Sequence, residues 1–311
     1  MYFPYLRGKQ FELIALREIC DFIDNDEIIS PIIEPVKETT VTLKKTLECM
    51  IENEMNFNLI INPQVGDIKS PDDILEIIEE VINDYENYQP TFIINGKSNY
   101  DYILNIIAEN EFENISIICY EIPNNENDFF DFIKKIDIKY IIISEEINSK
   151  RFLREIKKLD VDKITLSDQF NVQRKNADYQ ENDDEFFSDE HLFYEEEGFV
   201  GFSDYLTIGK EYTDAGFLPY AVVIHLTYVN SKEEIWVRHF VSDSNDDTTD
   251  VAGKFSEALE KLIEFIEEED IHTIACEEFR ELHDQESYSG LGSLKKLSIM
   301  HHIELMYDFL N

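Results

Sequence analysis

The sequence predicts an α/β protein, a TIM-barrel-like (β/α)8 fold with a C-terminal β-hairpin plus helices extension. Seven short apolar runs recur at the spacing a β/α barrel uses, and an eighth opens the chain. Amphipathic stretches of helical length lie between most of them. Runs this short and continuously apolar suit strands buried on both faces. After Tyr205 the pattern changes to two long strands and further amphipathic helices.

The opening run, 2–6, precedes Leu13, Ile14, Leu16, Ile19, Cys20 and Ile23, a helical spacing over 10–22. The run at 31–34 leads to a second such stretch at 42–53, with Leu43, Leu47, Met50 and Ile51 on one face. After the run at 59–62, Ser70-Pro71-Asp72-Asp73 reads as a helix start, with a capping serine, an early proline and acids in the first turn. That helix continues through Ile74, Leu75, Ile77, Ile78, Val81 and Ile82. Runs at 92–95, 115–118, 140–143 and 164–167 alternate with helices expected at 100–109, 127–136 and 151–158. The last barrel run is 199–202. Such repetition argues for a parallel sheet with right-handed crossovers.

The segment 176–197 breaks the rhythm, with ten Asp and Glu, no Lys or Arg, and several aromatics. A linker would lack the aromatics, so an ordered excursion or lid is expected. The strands 219–229 and 234–241 form a hairpin across Asn230-Ser231-Lys232-Glu233. Asp250 caps a helix over 251–269, and a final helix opens near Gly292. The expected organisation is 1–205 as barrel-like β/α units, with 206–311 as a hairpin and C-terminal helices completing the same domain.

Charge narrows the partners. The 67 acidic and 27 basic residues leave a formal charge of −40. Affinity for phosphate backbones depends on Lys and Arg, so neither direct nucleic-acid binding nor association with an anionic membrane is expected. No apolar run approaches the roughly 20 residues that span a bilayer. The start MYFPYLRGKQ lacks the features of a secretory signal. Cys20, Cys49, Cys119 and Cys276 are far apart, which suits reduced thiols in a cytoplasmic protein.

In a β/α barrel, side chains at the carboxyl ends of the strands face a common mouth where active sites are built. Here Glu34, Glu121 and Asp204 are candidate catalytic carboxylates, able to hold a divalent cation or to act as acid and base. Arg7, Lys9, Lys37 and Lys97, with Gln64 and Tyr205, are candidate ligand-binding residues. The cations would receive a phosphate or carboxylate, or serve as counter-ions to the carboxylates; sequence does not separate the two. The segment at 243–254 departs from a calcium loop at Thr248 and Lys254. Gly290-Leu291-Gly292-Ser293 before Leu294-Lys295-Lys296 could offer backbone amides and two cations to an anion, but reads first as a helix cap; His225 and His239 fall where they can pair across the hairpin or pack.

The segments YFPYLRGKQFELIALRE, PIIEPVKE, INPQVGD, GFVGFSDYLTIGKEY, GFLPYAVVIHLTY, RHFVSDSNDD, AGKFSEALEKL and GLGSLKKLSIMHHIELM resemble an uncharacterised bacterial family known only by an sce-type locus-tag name. That family is distantly similar to the phage-type "beta protein" family. The resemblance covers most of the chain and is weakest between about 67 and 160. It implies a barrel-like fold without an established reaction. It also implies a nuclease-like protein encoded nearby as partner, with this chain as the non-catalytic or regulatory subunit of a two-component phage-defence system. Arg7, Lys9, Glu34, Gln64, Asp204 and Tyr205 fall in the shared motifs. The nearest enzymatic comparison is with glycerophosphodiesterase-like barrels, whose phosphodiester hydrolysis is not expected here. The chain departs from them at Leu6-Arg7-Gly8, which lacks the histidine those enzymes place before Arg-Gly. The expectations are therefore partner binding, an enzyme acting on a small phosphorylated or nucleotide-like ligand at the mouth, or an acidic DNA-mimic inhibitor.

Overall fold

Isoleucine dominates the short runs, and β-branched side chains pack well on a pleated surface covered on both faces. The computed structural model describes residues 1–23, 28–214 and 219–311. Its strands are β1 (Tyr5–Leu6), β2 (Ile32–Ile33), β3 (Phe57–Ile60), β4 (Tyr88–Ile94), β5 (Ile115–Cys119), β6 (Ile138–Ser144), β7 (Asp162–Ser167), β8 (Asp184–Ser188), β9 (Gly201–Asp204), β10 (Val223–Val229) and β11 (Ile235–Val241). Eight of them form one parallel sheet in the order β1-β2-β3-β4-β5-β6-β7-β9.

The sheet curls until its ends meet. Tyr2 bridges both Ile29 and Phe202 in parallel. Phe3 N donates to Phe202 O at 2.8 Å, and Phe202 N to Met1 O at 3.1 Å. Gly201 sits on this seam, where a Cβ would lie 2.6 Å from the Phe3 ring and 2.7 Å from Met1 O. The lack of a side chain lets the two backbones approach, and the result is the expected (β/α)8 barrel-like fold.

The helices are α1 (Gln10–Ile19), α2 (Val41–Glu52), α3 (Asp72–Ile77), α4 (Tyr100–Glu109), α5 (Glu126–Ile133), α6 (Lys150–Lys157), the short α7 (Glu190–Phe193), α8 (Val251–Glu268), α9 (Ile274–Asp284) and α10 (Leu291–Leu310). After α3 the backbone takes a π-helical turn, Ile78–Ile82. Pro71 is the N-cap residue of α3, and the Ser70 hydroxyl instead accepts a bond from Asp72 N at 3.2 Å. Asp250 does cap α8, accepting from Gly253 N at 3.0 Å. Among the described residues, no helix is long and apolar enough to cross a membrane.

By contacts the chain divides into two compact units. The first, Met1–Lys9, Asn25–Asp168 and Phe193–Asp204, holds the eight-stranded barrel. The second comprises Gln10–Asp24, Gln169–Leu192 and Tyr205–Asn311. It contains an antiparallel sheet in the order β10-β11-β8, with α10 packed on β10, α1 and α9. The acidic segment is ordered as expected, as a 3-10 turn at Asn176–Glu181 and then β8. Lys296 is held there between Glu18 at 2.6 Å and Glu278 at 3.0 Å. Residues 216–218, the start of the motif GFLPYAVVIHLTY, lie outside the described residues.

Candidate functional site

Glu34 leaves the end of β2 with only 2% of its surface exposed. Its Oε2 accepts the Tyr5 hydroxyl at 2.9 Å and pairs with Arg7 Nε at 3.1 Å, while its Oε1 accepts Gln64 N at 2.8 Å. Gly8 allows the return of the chain, since it adopts φ +57 and a Cβ would meet Glu34 O at 2.9 Å. Tyr120 donates to the Tyr5 hydroxyl at 2.7 Å. Tyr5 lies on β1 and Tyr120 directly follows β5; the two strands are not neighbours in the sheet, so this bond spans the barrel.

The network continues around the rim. Asn95 Nδ2 donates to Gln64 Oε1 at 2.9 Å, Lys97 N to Asn95 Oδ1 at 2.8 Å, and Gly96 N to Glu121 Oε1 at 2.6 Å. Glu34, Gln64 and Glu121 therefore belong to one polar arc at the carboxyl ends of β2 to β5, with Arg7 ion-paired to Glu34. Deeper in the lumen, Asn58 links the Ser30 and Ser116 hydroxyls at 3.0 and 2.6 Å.

The remaining candidates have contacts of their own. Asp204 accepts the Tyr2 hydroxyl at 2.8 Å, and burial, then that carboxylate, pushes the Tyr2 pKa well above its ordinary value. Lys37 faces Asp67 at 3.4 Å on the surface. Lys9 is half-buried after the Gly8 turn. Tyr205 is the first residue of the final segment of the second unit, and its carbonyl accepts Ile208 N and Gly209 N. No group of three or more His, Cys, Asp or Glu among the described residues is placed to hold a metal ion. Glu34, Glu121 and Asp204 are thus not gathered around one cation position. The buried Cys119 thiol has its pKa pushed up to about 12 by burial, which suits a core residue.

Clefts flank the barrel strands, and two of them bear on function. Beside the rim, a cleft of about 340 Å³ is lined by Asn62, Gln64, Asn95, Lys69 and Lys97. A larger one, about 1010 Å³, lies where the chain enters β4 and β5, at the amino ends of the strands. Its lining carries Asp72, Glu76, Glu79, Asp84, Glu86, Glu111 and Glu113 with no Lys or Arg among the described residues, and includes Tyr85, Tyr88 and Phe112. Sequence reasoning directed at strand carboxyl ends passes over this cleft. Its signal is the acid–aromatic composition of DYENY and ENEFEN just before those two strands. No family model, curated protein or solved structure matches the chain.

Proposed function

We propose that this protein acts by docking a cationic protein partner in the acidic cleft at the amino ends of β4 and β5. The partner implied by the family resemblance is a nuclease-type subunit of a phage-defence system. The observation that carries the reading is the lining of that cleft, seven carboxylates and three aromatic rings without a basic side chain among the described residues. A concavity of one sign concentrates field and steers an oppositely charged partner. The surface with which a nuclease grips phosphates is basic, so an acidic cleft would compete for that surface. Tyr85, Tyr88 and Phe112 add ring faces suited to Lys and Arg.

A second reading, an enzyme acting on a small phosphorylated or nucleotide-like ligand, draws support from Lys69 and Lys97 beside four side-chain amides in the rim cleft. Affinity purification from cells expressing the neighbouring genes, followed by titration calorimetry, separates the readings. Partner docking predicts co-purification that weakens as salt rises, with Glu111→Lys/Glu113→Lys binding about tenfold or more weaker. Unchanged affinity in that variant overturns the docking site. Loss of cellular activity in Lys97→Ala with partner binding intact favours the enzyme. Equal weakening by charge reversals scattered over the surface points to a DNA mimic.

A further inference from the structure

His225 on β10 and His239 on β11 stand opposite each other in the hairpin register, and their Nδ1 atoms lie 2.7 Å apart. A contact this short is a hydrogen bond, with one ring donating and the other accepting. Tyr179 packs against both rings at centroid distances of 4.7 and 4.5 Å, and Phe170 meets His225 edge-on at 5.0 Å. Behind His239, Glu185 Oε1 on β8 lies 3.7 Å from Nε2. The neighbouring Asp183 and Asp184 add negative potential on the same side.

That geometry selects the tautomers. A carboxylate facing Nε2 of His239 favours a proton there and leaves its Nδ1 as the acceptor. His225 then donates through Nδ1–H and keeps a bare Nε2. This nitrogen has no hydrogen-bond partner among the described residues. The ring is partly exposed where it lines a cleft of about 200 Å³ with Asn176, Thr207, Lys295 and Ser298. Lys295 is exposed and pairs with no carboxylate among the described residues, in a chain whose acids outnumber its bases 67 to 27.

We infer that the Glu185–His239–His225 array is a proton relay opening on a binding site for a small oxyanion, a phosphate- or carboxylate-bearing molecule held by Lys295. His225 acts there as general base. Nε2 of His225 takes a proton from the ligand, and the ring becomes imidazolium. Its Nδ1 proton passes along the 2.7 Å bond to Nδ1 of His239. His225 is then neutral with its proton on Nε2, and the positive charge rests on His239 beside Glu185. No heavy-atom bond changes, and the reverse transfer restores the resting state. Burial, then the proximity of His239 and Lys295, holds His225 well below the usual histidine pKa, so the ring starts neutral at neutral pH. Glu185 is a positioning residue that reaches the ligand through the two rings. This site lies in the second unit and does not depend on the partner-docking cleft of the barrel.

The test is long-range 15N–1H NMR of the histidine side chains in the full chain, titrated with inorganic phosphate at about pH 7. The free protein should show His225 protonated on Nδ1 and bare at Nε2, and phosphate should shift the Nε2 resonance. Lys295→Gln should weaken phosphate binding about tenfold or more. Glu185→Gln should move the His239 resonances while leaving phosphate affinity within about twofold. Lys295→Gln and Glu185→Gln both alter partly or fully exposed side chains, so both variants remain folded. A His225 protonated on Nε2 in the free protein, no phosphate-induced shift at that ring, or equal affinity in Lys295→Gln would overturn the inference.

Discussion

At Glu34, two readings of a polar strand end meet in one side chain. A carboxylate at 2% exposure is tolerated because Arg7, the Tyr5 hydroxyl and Gln64 N compensate both oxygens. A buried pair adds little net stability but is costly to break. Arg7→Met should lower stability by about 3–5 kcal/mol, and Arg7→Met/Glu34→Leu should recover most of that loss, measured by urea unfolding. Activity lost with Glu34 variants therefore reports folding as well as chemistry. Glu121 is exposed and accepts Gly96 N, so Glu121→Gln is the cleaner probe of the mouth. If the mouth is catalytic, that variant stays folded and loses cellular activity. In the lumen, Asn58→Ala removes the partner of two buried hydroxyls and should cost about 1–3 kcal/mol by the same unfolding measurement.

Among the elements, those with local signals were readable and those defined by distant partners were not. The helix expected at 100–109 is α4, and Asn99 caps it by accepting Tyr102 N. The expected runs at 59–62 and 199–202 each differ by two residues from β3 and β9. There the ladder is set by neighbouring strands, while apolar composition extends past it or begins before it. The strand β8 was hidden among acids, because it pairs with β11, more than forty residues away. Helix α9 buries only Ala275, Cys276 and Phe279, too few apolar positions to show a period. The barrel seam is the element most sensitive to a single added group. Gly201→Val would drive a branched side chain into the Phe3 ring and Met1 O, and should cost about 1–3 kcal/mol or more in thermal or urea unfolding.

The whole chain responds to pH and salt through its titratable groups. Burial depresses His191, His225, His239 and His301 below their ordinary 6.5. These histidines bind protons more readily in the unfolded chain. Stability is therefore fullest above about pH 6.5 and falls as pH drops toward the depressed folded values. The unfolding temperature should decline steadily between about pH 7 and pH 5, before most surface carboxylates protonate. A flat profile there, or a rise, would contradict the buried, neutral state of these rings. Salt acts in the opposite sense. With a formal charge of −40, screening relieves self-repulsion, so added NaCl at about pH 7.5 should raise the unfolding temperature while weakening capture of a cationic partner.

The spacing of short Ile-rich runs and amphipathic stretches by itself determined the barrel class, most of its strands and the helices between them. Periodicity is a local property, and burial on both faces writes it directly into consecutive residues. Composition likewise determined the excess of acidic over basic residues, 67 to 27. Tertiary structure alone decided that Glu34 is paired with Arg7 and hydrogen-bonded by Tyr5, and that an acidic cleft opens at the amino ends of β4 and β5. It alone placed Glu185 behind His239. Each of these arrangements joins residues far apart in the chain, and their charge balance depends on distances that a sequence does not carry.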